Sequence, residues 1–220
     1  KVLAWILMLD FYIGIDLGGT NVAAGVVTEK GELLGKASVP TPRGAEAVAD
    51  AIALAARQAA GAAGVPLSGI KAIGLTAPGS IDPETGVALR VVNMDLENVP
   101  LCDLVSRRLD LPALLENDAN AAALGEYVAG AGWGHKSLVA VTLGTGVGAG
   151  AVLDGKLFTG FNYAGMEAGH TVIRRGGRQC NCGRKGCWET YASATGLILS
   201  TREAMALHPE SALWQLAPAS

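Results

Sequence analysis

The hydrophobic positions along the chain follow two periods, one typical of strands and one typical of helices. Short apolar and β-branched runs next to glycine or proline predict strands within 11–27, 31–40, 70–82, 112–116 and 137–158. Helices are predicted over 44–64, where apolar residues recur at helical spacing, over 100–109, over 119–130 and in the tail after residue 200. Strands that alternate with helices in this way predict an α/β fold.

One strand–glycine–strand unit occurs twice, and a shift of 126 positions aligns the two copies. The aligned pairs are Ile13 and Val139, Ile15 and Val141, Leu17 and Leu143, and Gly18 and Gly144, while Asp16 falls on Thr142. Hairpins with glycine turns also recur by chance, but the similar content of the two turns favours duplication. We therefore predict duplicated α/β lobes, over 1–115 and 116–220, that face each other across a cleft.

The net charge and the first segment of the chain limit the possible binding partners and the cellular compartment. The chain has 220 residues and a formal net charge of −3, which argues against nucleic acid or an anionic membrane as a partner. Its first segment, KVLAWILMLD, is apolar but far shorter than the roughly 20 residues that span a bilayer. No secretory cleavage site follows, so a reducing, cytoplasmic location is expected. Met8 is a candidate natural start, which would leave residues 1–7 as a non-native leader.

Both hairpin turns are glycine-rich tips with the chemistry of a phosphate site. Glycine lets backbone N–H groups approach a phosphate closely and surround it. The candidate residues are Asp16, Gly18, Gly19, Thr20 and Asn21 in the first tip, and Gly144, Thr145 and Gly146 in the second. Neither tip is a Walker or a Rossmann sequence, since no Gly-Lys-Ser/Thr follows and a strand comes next. As a pair they predict a bound nucleoside triphosphate, with Asp16 holding Mg²⁺ through water.

A histidine and three cysteines late in the chain have the spacing of a metal site. The pattern is His170-x9-Cys180-x-Cys182-x4-Cys187, with glycines that leave room to fold around a small ion. One imidazole and three thiolates match a tetrahedral structural zinc site. Buried free cysteines or disulfides are the alternatives, and a reducing compartment disfavours disulfides. Cys102 stands apart and is interpreted as a small core residue.

Asp118 is the candidate for acid–base chemistry. It follows the predicted strand ALLE and opens the predicted helix ANAAALGEY, so it lies where open α/β sheets place their ligands. A carboxylate there can accept the proton of an alcohol during phosphoryl transfer. An N-cap aspartate would occupy the same position. From the residues alone both interpretations stay open.

Six segments resemble, in order, the signature segments of the ROK family of bacterial sugar kinases, and within it the glucokinases. They are GIDLGGTN, LTAPGSID, LENDANAAALGE, LGTGVGAGAVLDGKL, GMEAGH and CNCGRKGCWE. The resemblance implies an actin-like ATPase fold, related to ribonuclease H, with sugar and ATP in the cleft. It implies ATP-dependent phosphorylation of glucose to glucose 6-phosphate, by an enzyme that is a homodimer when full length.

The resemblance also implies roles for individual residues. Asp118 would deprotonate the sugar 6-hydroxyl. The implied sugar contacts are Gly79, Asn93, Asn117, Asp118, Glu167, His170 and Glu189. Zinc on His170 and the cysteines would hold the two glutamates rigid, and His170 would serve both metal and substrate. Gly79 also fits an ordinary turn, and Leu96 stands where the family often has tryptophan.

Other functions share parts of this pattern. N-acetylhexosamine and fructose kinases share most of these residues, and non-catalytic sugar-sensing ROK regulators share the lobes. A zinc knuckle that binds nucleic acid is a third alternative, because a basic cluster lies around the ligands; we interpret it as a solvated rim. Its members are Arg174, Arg175, Arg178, Arg184 and Lys185. The resemblance ends near Ser200, before an adenosine-binding loop and a final helix, so carboxyl-terminal truncation is expected.

Overall fold

A computed structural model describes residues 10–216 of the chain. The expectations for the amino-terminal leader and for the last four positions lie outside these residues. By its internal contacts the chain divides into two compact units, the first ending at His135 and the second beginning at Lys136. The lobe boundary expected after residue 115 stays a prediction.

From residue 10 to residue 135, the first unit contains two sheets and three α-helices. In chain order its elements are β1 (Phe11–Leu17), β2 (Asn21–Thr28), β3 (Leu33–Pro40), α1 (Ala45–Ala63), β4 (Ile70–Ala77), β5 (Ser80–Asp82), β6 (Val87–Val91), β7 (Leu96–Val99), α2 (Leu101–Leu109), β8 (Ala113–Asn117) and α3 (Asp118–Ala129). The main sheet has the order β3-β2-β1-β4-β8. Its β1, β4 and β8 run parallel, while β2 and β3 pair antiparallel. The predicted alternation of strands and helices is confirmed in this unit.

Helix α1 buries the face that its sequence predicts. Val48, Ile52, Ala55 and Ala59 are fully buried in the core against the main sheet. Each large aliphatic side chain buried in this way stabilises the fold by about 1.5–3 kcal/mol. The helix ends where Gly64 adopts a left-handed conformation and its N–H bonds back to a carbonyl of the last turn.

The opposite face of the main sheet carries a groove of about 1040 Å³. Gly25, Gly14 and Gly74 are register partners on neighbouring strands, so the floor of the groove has no side chains at that level. One level nearer the carboxyl ends of the parallel strands, Asp16, Thr76 and Glu116 are register partners and line the groove with polar groups. The pleat therefore places these polar side chains together, at the edge where α/β sheets bind ligands.

A small sheet of β5, β6 and β7 was not predicted from the sequence. Its strands are short, three to five residues each, so their alternation is hard to distinguish from a loop. Gly79 enters it with φ +84°, and a side chain there would begin 2.5 Å from the carbonyl oxygen of Arg90. A turn thus accounts for the glycine at this position.

In its described part, residues 136–216, the second unit contains one small sheet, three α-helices and a long irregular loop. Its elements are β9 (Leu138–Leu143), β10 (Val147–Leu153), β11 (Lys156–Leu157), α4 (Glu189–Ala192), α5 (Ala194–Leu207) and α6 (Leu213–Leu216). The sheet order is β11-β10-β9. The helix predicted after residue 200 is confirmed over 201–207, the end of α5, and over 213–216, which form α6, while 208–212 are not helical. None of the helices described in residues 10–216 is both long and apolar enough to cross a membrane.

The two hairpins share their boundaries but not their pairing. The shift of 126 carries the end of β1 at Leu17 onto the end of β9 at Leu143, and the start of β2 onto the start of β10. In the first hairpin, however, Leu17 pairs with Val22, whereas Leu143 pairs with Val147, one position earlier than the shift requires. The second tip is therefore tighter by one residue.

Candidate functional site

Asn117, not Asp118, caps helix α3. The backbone of Asn117 is extended, and its side-chain oxygen accepts hydrogen bonds from the N–H groups of Ala119 at 3.0 Å and Asn120 at 3.1 Å. The N-cap interpretation of Asp118 is therefore wrong. Asp118 is the first helical residue, exposed, with Oδ1 accepting from the N–H of Ala119 at 2.8 Å. A backbone N–H of the first turn of α3 thus holds the carboxylate of Asp118, although Asp118 does not cap the helix.

Two residues that the sequence analysis missed fix this turn. Oε1 of Glu116 accepts from the backbone N–H of Asn117 at 2.8 Å and from Nδ2 of Asn120 at 3.1 Å. Asn120 is 3% exposed, and within the described residues its Oδ1 has no hydrogen-bond partner. The sequence signal that could have indicated the bond between Glu116 and Asn120 is a pair of polar residues four apart across the predicted strand–helix turn. Glu116 and Asn120 thus form a clamp that fixes the backbone at Asn117, the residue before Asp118.

The first glycine tip is braced from outside the hairpin. Thr41, which follows β3, donates its hydroxyl to the carbonyl of Gly18 at 2.7 Å and its N–H to that of Thr20 at 2.9 Å. The side chain of Thr76, also missed, donates to Oδ1 of Asp16 at 2.8 Å. Asp16 is exposed beside the tip and oriented by this bond, as a group that holds a hydrated cation needs to be.

The small sheet brings Asn93 to the first tip. Asn93 lies in a short 3₁₀ turn, Val92–Met94, and its Nδ2 is 3.5 Å from the point where a side chain of Gly19 would begin. The neighbouring Met94 is fully buried and anchors the turn. The first unit therefore gathers Asp16, the first tip and Asn93, whereas Gly79 is explained by the turn it makes.

The four predicted metal ligands converge in the second unit. The ligand atoms of His170, Cys180, Cys182 and Cys187 all lie within 4.8 Å of one another. Nδ1 of His170 is 3.6 Å from Sγ of Cys180, and the Sγ atoms of Cys182 and Cys187 are also 3.6 Å apart. Metal–sulfur bonds of about 2.3 Å at tetrahedral angles put sulfurs about 3.8 Å apart, so the cluster fits a zinc ion. Nε2 is the ring nitrogen of His170 left for another partner.

The surroundings of the cluster shift the pKa values of two of its thiols in opposite directions. The backbone N–H of Arg184, followed by its guanidinium, lowers the pKa of Cys182 to about 6. Burial, with smaller effects of the neighbouring thiols, raises the pKa of Cys187 to about 11. Cys102 lies in α2 of the first unit, buried and outside the cluster, as the sequence predicts.

These pKa values predict that metal binding releases protons. Cys187 keeps its proton up to about pH 11, and a metal binds only its thiolate, so binding near pH 8 must release at least one proton. Cys182 is already ionised at pH 8. Below about pH 6 it is protonated as well, so binding must release a further proton and the affinity should fall more steeply as the pH is lowered. Calorimetric Zn²⁺ titrations in two buffers of different ionisation enthalpy count the protons. Release of none at pH 8 would contradict the assignment of Cys187.

One member of the basic cluster is a brace rather than a solvated rim. The side chain of Arg178 is 17% exposed and lies 4.8 Å from the ring centroid of Tyr191. It donates to the carbonyl of Thr190 at 2.8 Å and pairs with Glu203 at 2.6 Å. The rim interpretation is therefore wrong for Arg178, which ties the metal loop, the segment 170–187 with the predicted ligands, to α4 and α5. Glu203 lies 25 residues away, so the sequence did not show the pair.

The two candidate sugar-binding glutamates flank the metal ligands. Glu167 is exposed and precedes the 3₁₀ turn Ala168–His170, which places it beside the ligand His170. Glu189 is half-buried at the start of α4, and its Oε2 accepts from the N–H of Val147 at 3.1 Å. Val147 directly follows the second tip, so within this unit the structure brings Glu189 to the candidate phosphate-binding residues.

Comparison with known proteins places the chain in a family. The sequence profile of the ROK family matches residues 12–219. A glucokinase of Streptomyces coelicolor is 41% identical over 200 residues, 91% of this chain and 62% of that protein. The crystal structure of a ROK family glucokinase from Streptomyces griseus in complex with glucose and AMPPNP is 41% identical, with a TM-score of 0.80, and covers 96% of this chain and 66% of that one. An N-acetylmannosamine kinase of Yersinia pseudotuberculosis is 37% identical over 86% of this chain and 63% of its own length.

The chain belongs to the ROK family, as its motifs indicate. The predicted α/β fold of the actin-like ATPase type is confirmed by its likeness to the S. griseus enzyme. The chain spans 62% of the length of the S. coelicolor glucokinase that it matches.

Proposed function

We propose that the protein phosphorylates glucose with ATP as the donor. The observation that carries this proposal is the 41% identity to a kinase whose structure holds glucose and AMPPNP. The exposed carboxylates and the glycine tips offer groups for proton transfer and phosphate binding, and the Cys/His cluster offers a structural metal site.

Asp118 is the proposed general base. Its carboxylate accepts the proton of the sugar 6-hydroxyl while that oxygen bonds to the γ-phosphorus. The bond from the γ-phosphorus to the β–γ bridging oxygen breaks, and ADP leaves. The exposed position of Asp118 at the first turn of α3, held by the Asn117 cap and the Glu116 clamp, supports this role. A base in this position contributes about 10²–10⁴-fold to the rate.

The glycine tips are the proposed phosphate-binding elements. In the first unit these are Gly18, Gly19, Thr20 and Asn21, and in the second Gly144, Thr145 and Gly146. Asp16, oriented by Thr76, would hold Mg²⁺ through water, and the ion would offset negative charge on the phosphates when bound. Backbone N–H groups that point to a phosphate need no reorganisation as charge moves in the transition state.

Sugar contacts are proposed on both units. In the second unit Glu167 and Glu189 would accept hydrogen bonds from sugar hydroxyls, and Nε2 of His170 is available because Nδ1 faces Cys180. In the first unit the proposed contacts are Asn93, Asn117 and Gly79. Since Oδ1 of Asn117 already caps α3, its Nδ2 donors are what remains for a sugar hydroxyl.

The metal is proposed to be zinc in a structural role. Four protein ligands complete a tetrahedral site, which leaves no position for substrate on the ion. Three thiolate ligands need a reducing compartment to stay free of disulfides, which supports a cytoplasmic location. The family resemblance supports a homodimer in the full-length enzyme, with sugar and nucleotide rather than nucleic acid or membrane as partners.

A panel of sugars tests the proposed substrate. Thermal unfolding is followed with glucose, N-acetylglucosamine, N-acetylmannosamine or fructose, before and after chelator treatment. Glucose at 100 times its dissociation constant should stabilise the protein by about 2.7 kcal/mol, and the chelated protein should lose this response. Stabilisation by N-acetylmannosamine alone would favour the activity of the 37% identical relative. Stabilisation by glucose without any phosphorylation would favour a sugar-sensing regulator, and no response to any sugar would contradict the proposal.

A further inference from the structure

The second glycine tip, Gly144–Gly146, is fastened by the segment that follows the last cysteine ligand. Beyond the bond from Val147 to Glu189, the N–H of Ala194 donates to the carbonyl of Gly144 at 2.8 Å. The hydroxyl of Thr195 donates to the carbonyl of Thr145 at 3.3 Å. Two residues of the tip and the residue that follows it are therefore each bonded to residues 189–195 of the same unit.

Close packing accompanies these bonds. A side chain on Gly146 would collide with Oε2 of Glu189, so the carboxylate lies directly against the backbone of the tip. A side chain on Gly169, beside the ligand His170, would collide with the carbonyl of Val147. The chain segments next to the first and last metal ligands thus both press on the second tip or the residue after it.

The position of Glu189 depends on the metal ligand Cys187. Both the N–H and the hydroxyl of Thr190 donate to the carbonyl of Cys187, at 3.1 and 2.7 Å. The N–H of the intervening Trp188 donates to the carbonyl of Thr171 at 2.9 Å, next to His170. Glu189 is therefore held between residues whose own positions the metal cluster sets.

We propose that Glu189 is a positioning residue for the phosphate donor, in addition to its proposed contact with the sugar. Oε2 accepts from the N–H of Val147, a residue that is 7% exposed, whereas Oε1 accepts no hydrogen bond from the described residues and is left for a sugar hydroxyl. One carboxylate thus links the metal loop, the sugar and the second tip. This inference rests on the proposed function, because it takes the tip as a phosphate-binding element.

Two substitutions of Glu189 separate its roles. Glu189→Gln keeps an oxygen that accepts from Val147, so the tip should stay in place, whereas the sugar loses a charged acceptor. Glu189→Ala leaves the buried N–H of Val147 unsatisfied, which destabilises the present position of the tip. We expect the KM for glucose to rise in both variants. The KM for ATP should rise about tenfold in Glu189→Ala and stay within about twofold in Glu189→Gln.

A third substitution acts on the tip without touching any sugar contact. Ala194 is the first residue of α5, after the N-cap Ser193, and proline is favoured at that position. The extended backbone of Ser193 is compatible with a following proline. Ala194→Pro therefore keeps the helix but removes the N–H that bonds to Gly144. It should raise the KM for ATP and leave the KM for glucose unchanged, and it provides a test if Glu189→Ala does not fold.

Amide hydrogen exchange at Val147 gives a readout that does not depend on activity. Exchange should accelerate about tenfold in Glu189→Ala and remain near the parent rate in Glu189→Gln. Equal exchange rates and an equal KM for ATP in the two variants would overturn the inference. A parent protein that phosphorylates no sugar would instead contradict the proposed function, while the exchange rates would still decide whether Glu189 holds the tip.

Discussion

Replacing Asp118 with asparagine should lower kcat for glucose phosphorylation by about 10²–10⁴-fold while changing glucose affinity far less. Asparagine has nearly the same shape, and its oxygen can still accept from the N–H of Ala119, as Oδ1 does now at 2.8 Å. It cannot take a proton at neutral pH, however. A coupled assay of glucose 6-phosphate gives kcat, and a calorimetric glucose titration gives the affinity.

Asp103 offers a matched control for this substitution. It is also an exposed aspartate in the first turn of a helix, α2, but this helix follows β7 of the small sheet and not a strand of the main sheet. Asp103→Asn should leave kcat unchanged. Near-normal kcat in Asp118→Asn would remove Asp118 as the base. A loss of glucose affinity as large as the loss of kcat would show that Asp118 only holds the sugar.

Replacing Cys187 with alanine should abolish metal binding and lower the stability of the second unit. Cys187 is fully buried, and its neighbours are held by short backbone bonds rather than by a large core. Structural zinc sites contribute about 10–16 kcal/mol of binding free energy in small peptides, so removing one of four ligands should have a large effect. Elemental analysis should find one zinc per parent chain and none in the variant, which should also unfold at a lower temperature.

The cysteine outside the cluster provides the control for this experiment. Cys102 is buried in α2 of the first unit and is not part of the cluster. Cys102→Ala should keep one zinc per chain and lose only the stability that a small buried side chain contributes. Full zinc content in Cys187→Ala, or none in the parent, would show that the cluster is not a metal centre.

The strands of the two hairpins and the helix α1 were predictable, because their hydrophobic periods repeat over many neighbouring residues. The pairing of the hairpins was not. The shift of 126 predicts equal turns, yet the second is tighter by one residue, since register depends on which partners fit across the sheet. The three-stranded sheet of β5, β6 and β7 was missed for a related reason, since strands of three to five residues carry too few positions to show a period.

In the candidate site, residue types were predictable but hydrogen-bond partners were not. From the sequence Asp118 was either a base or the N-cap of α3, and the extended backbone and side-chain bonds of Asn117 show that Asn117 is the cap instead. Arg178 looked like one of five surface cations, but its pairing with Glu203 and stacking on Tyr191 make it a brace. Such roles depend on groups that the folded chain brings close.

By itself the sequence determined the family, the α/β class and the four residues of the Cys/His cluster, because each depends on spacing along a short stretch of chain. Only the tertiary structure decided how individual atoms are used. The bond from Thr76 to Asp16 joins residues 60 apart, and that from Val147 to Glu189 joins residues 42 apart. Contacts at such separations depend on strand register and loop packing, which are properties of the whole folded unit rather than of any one segment.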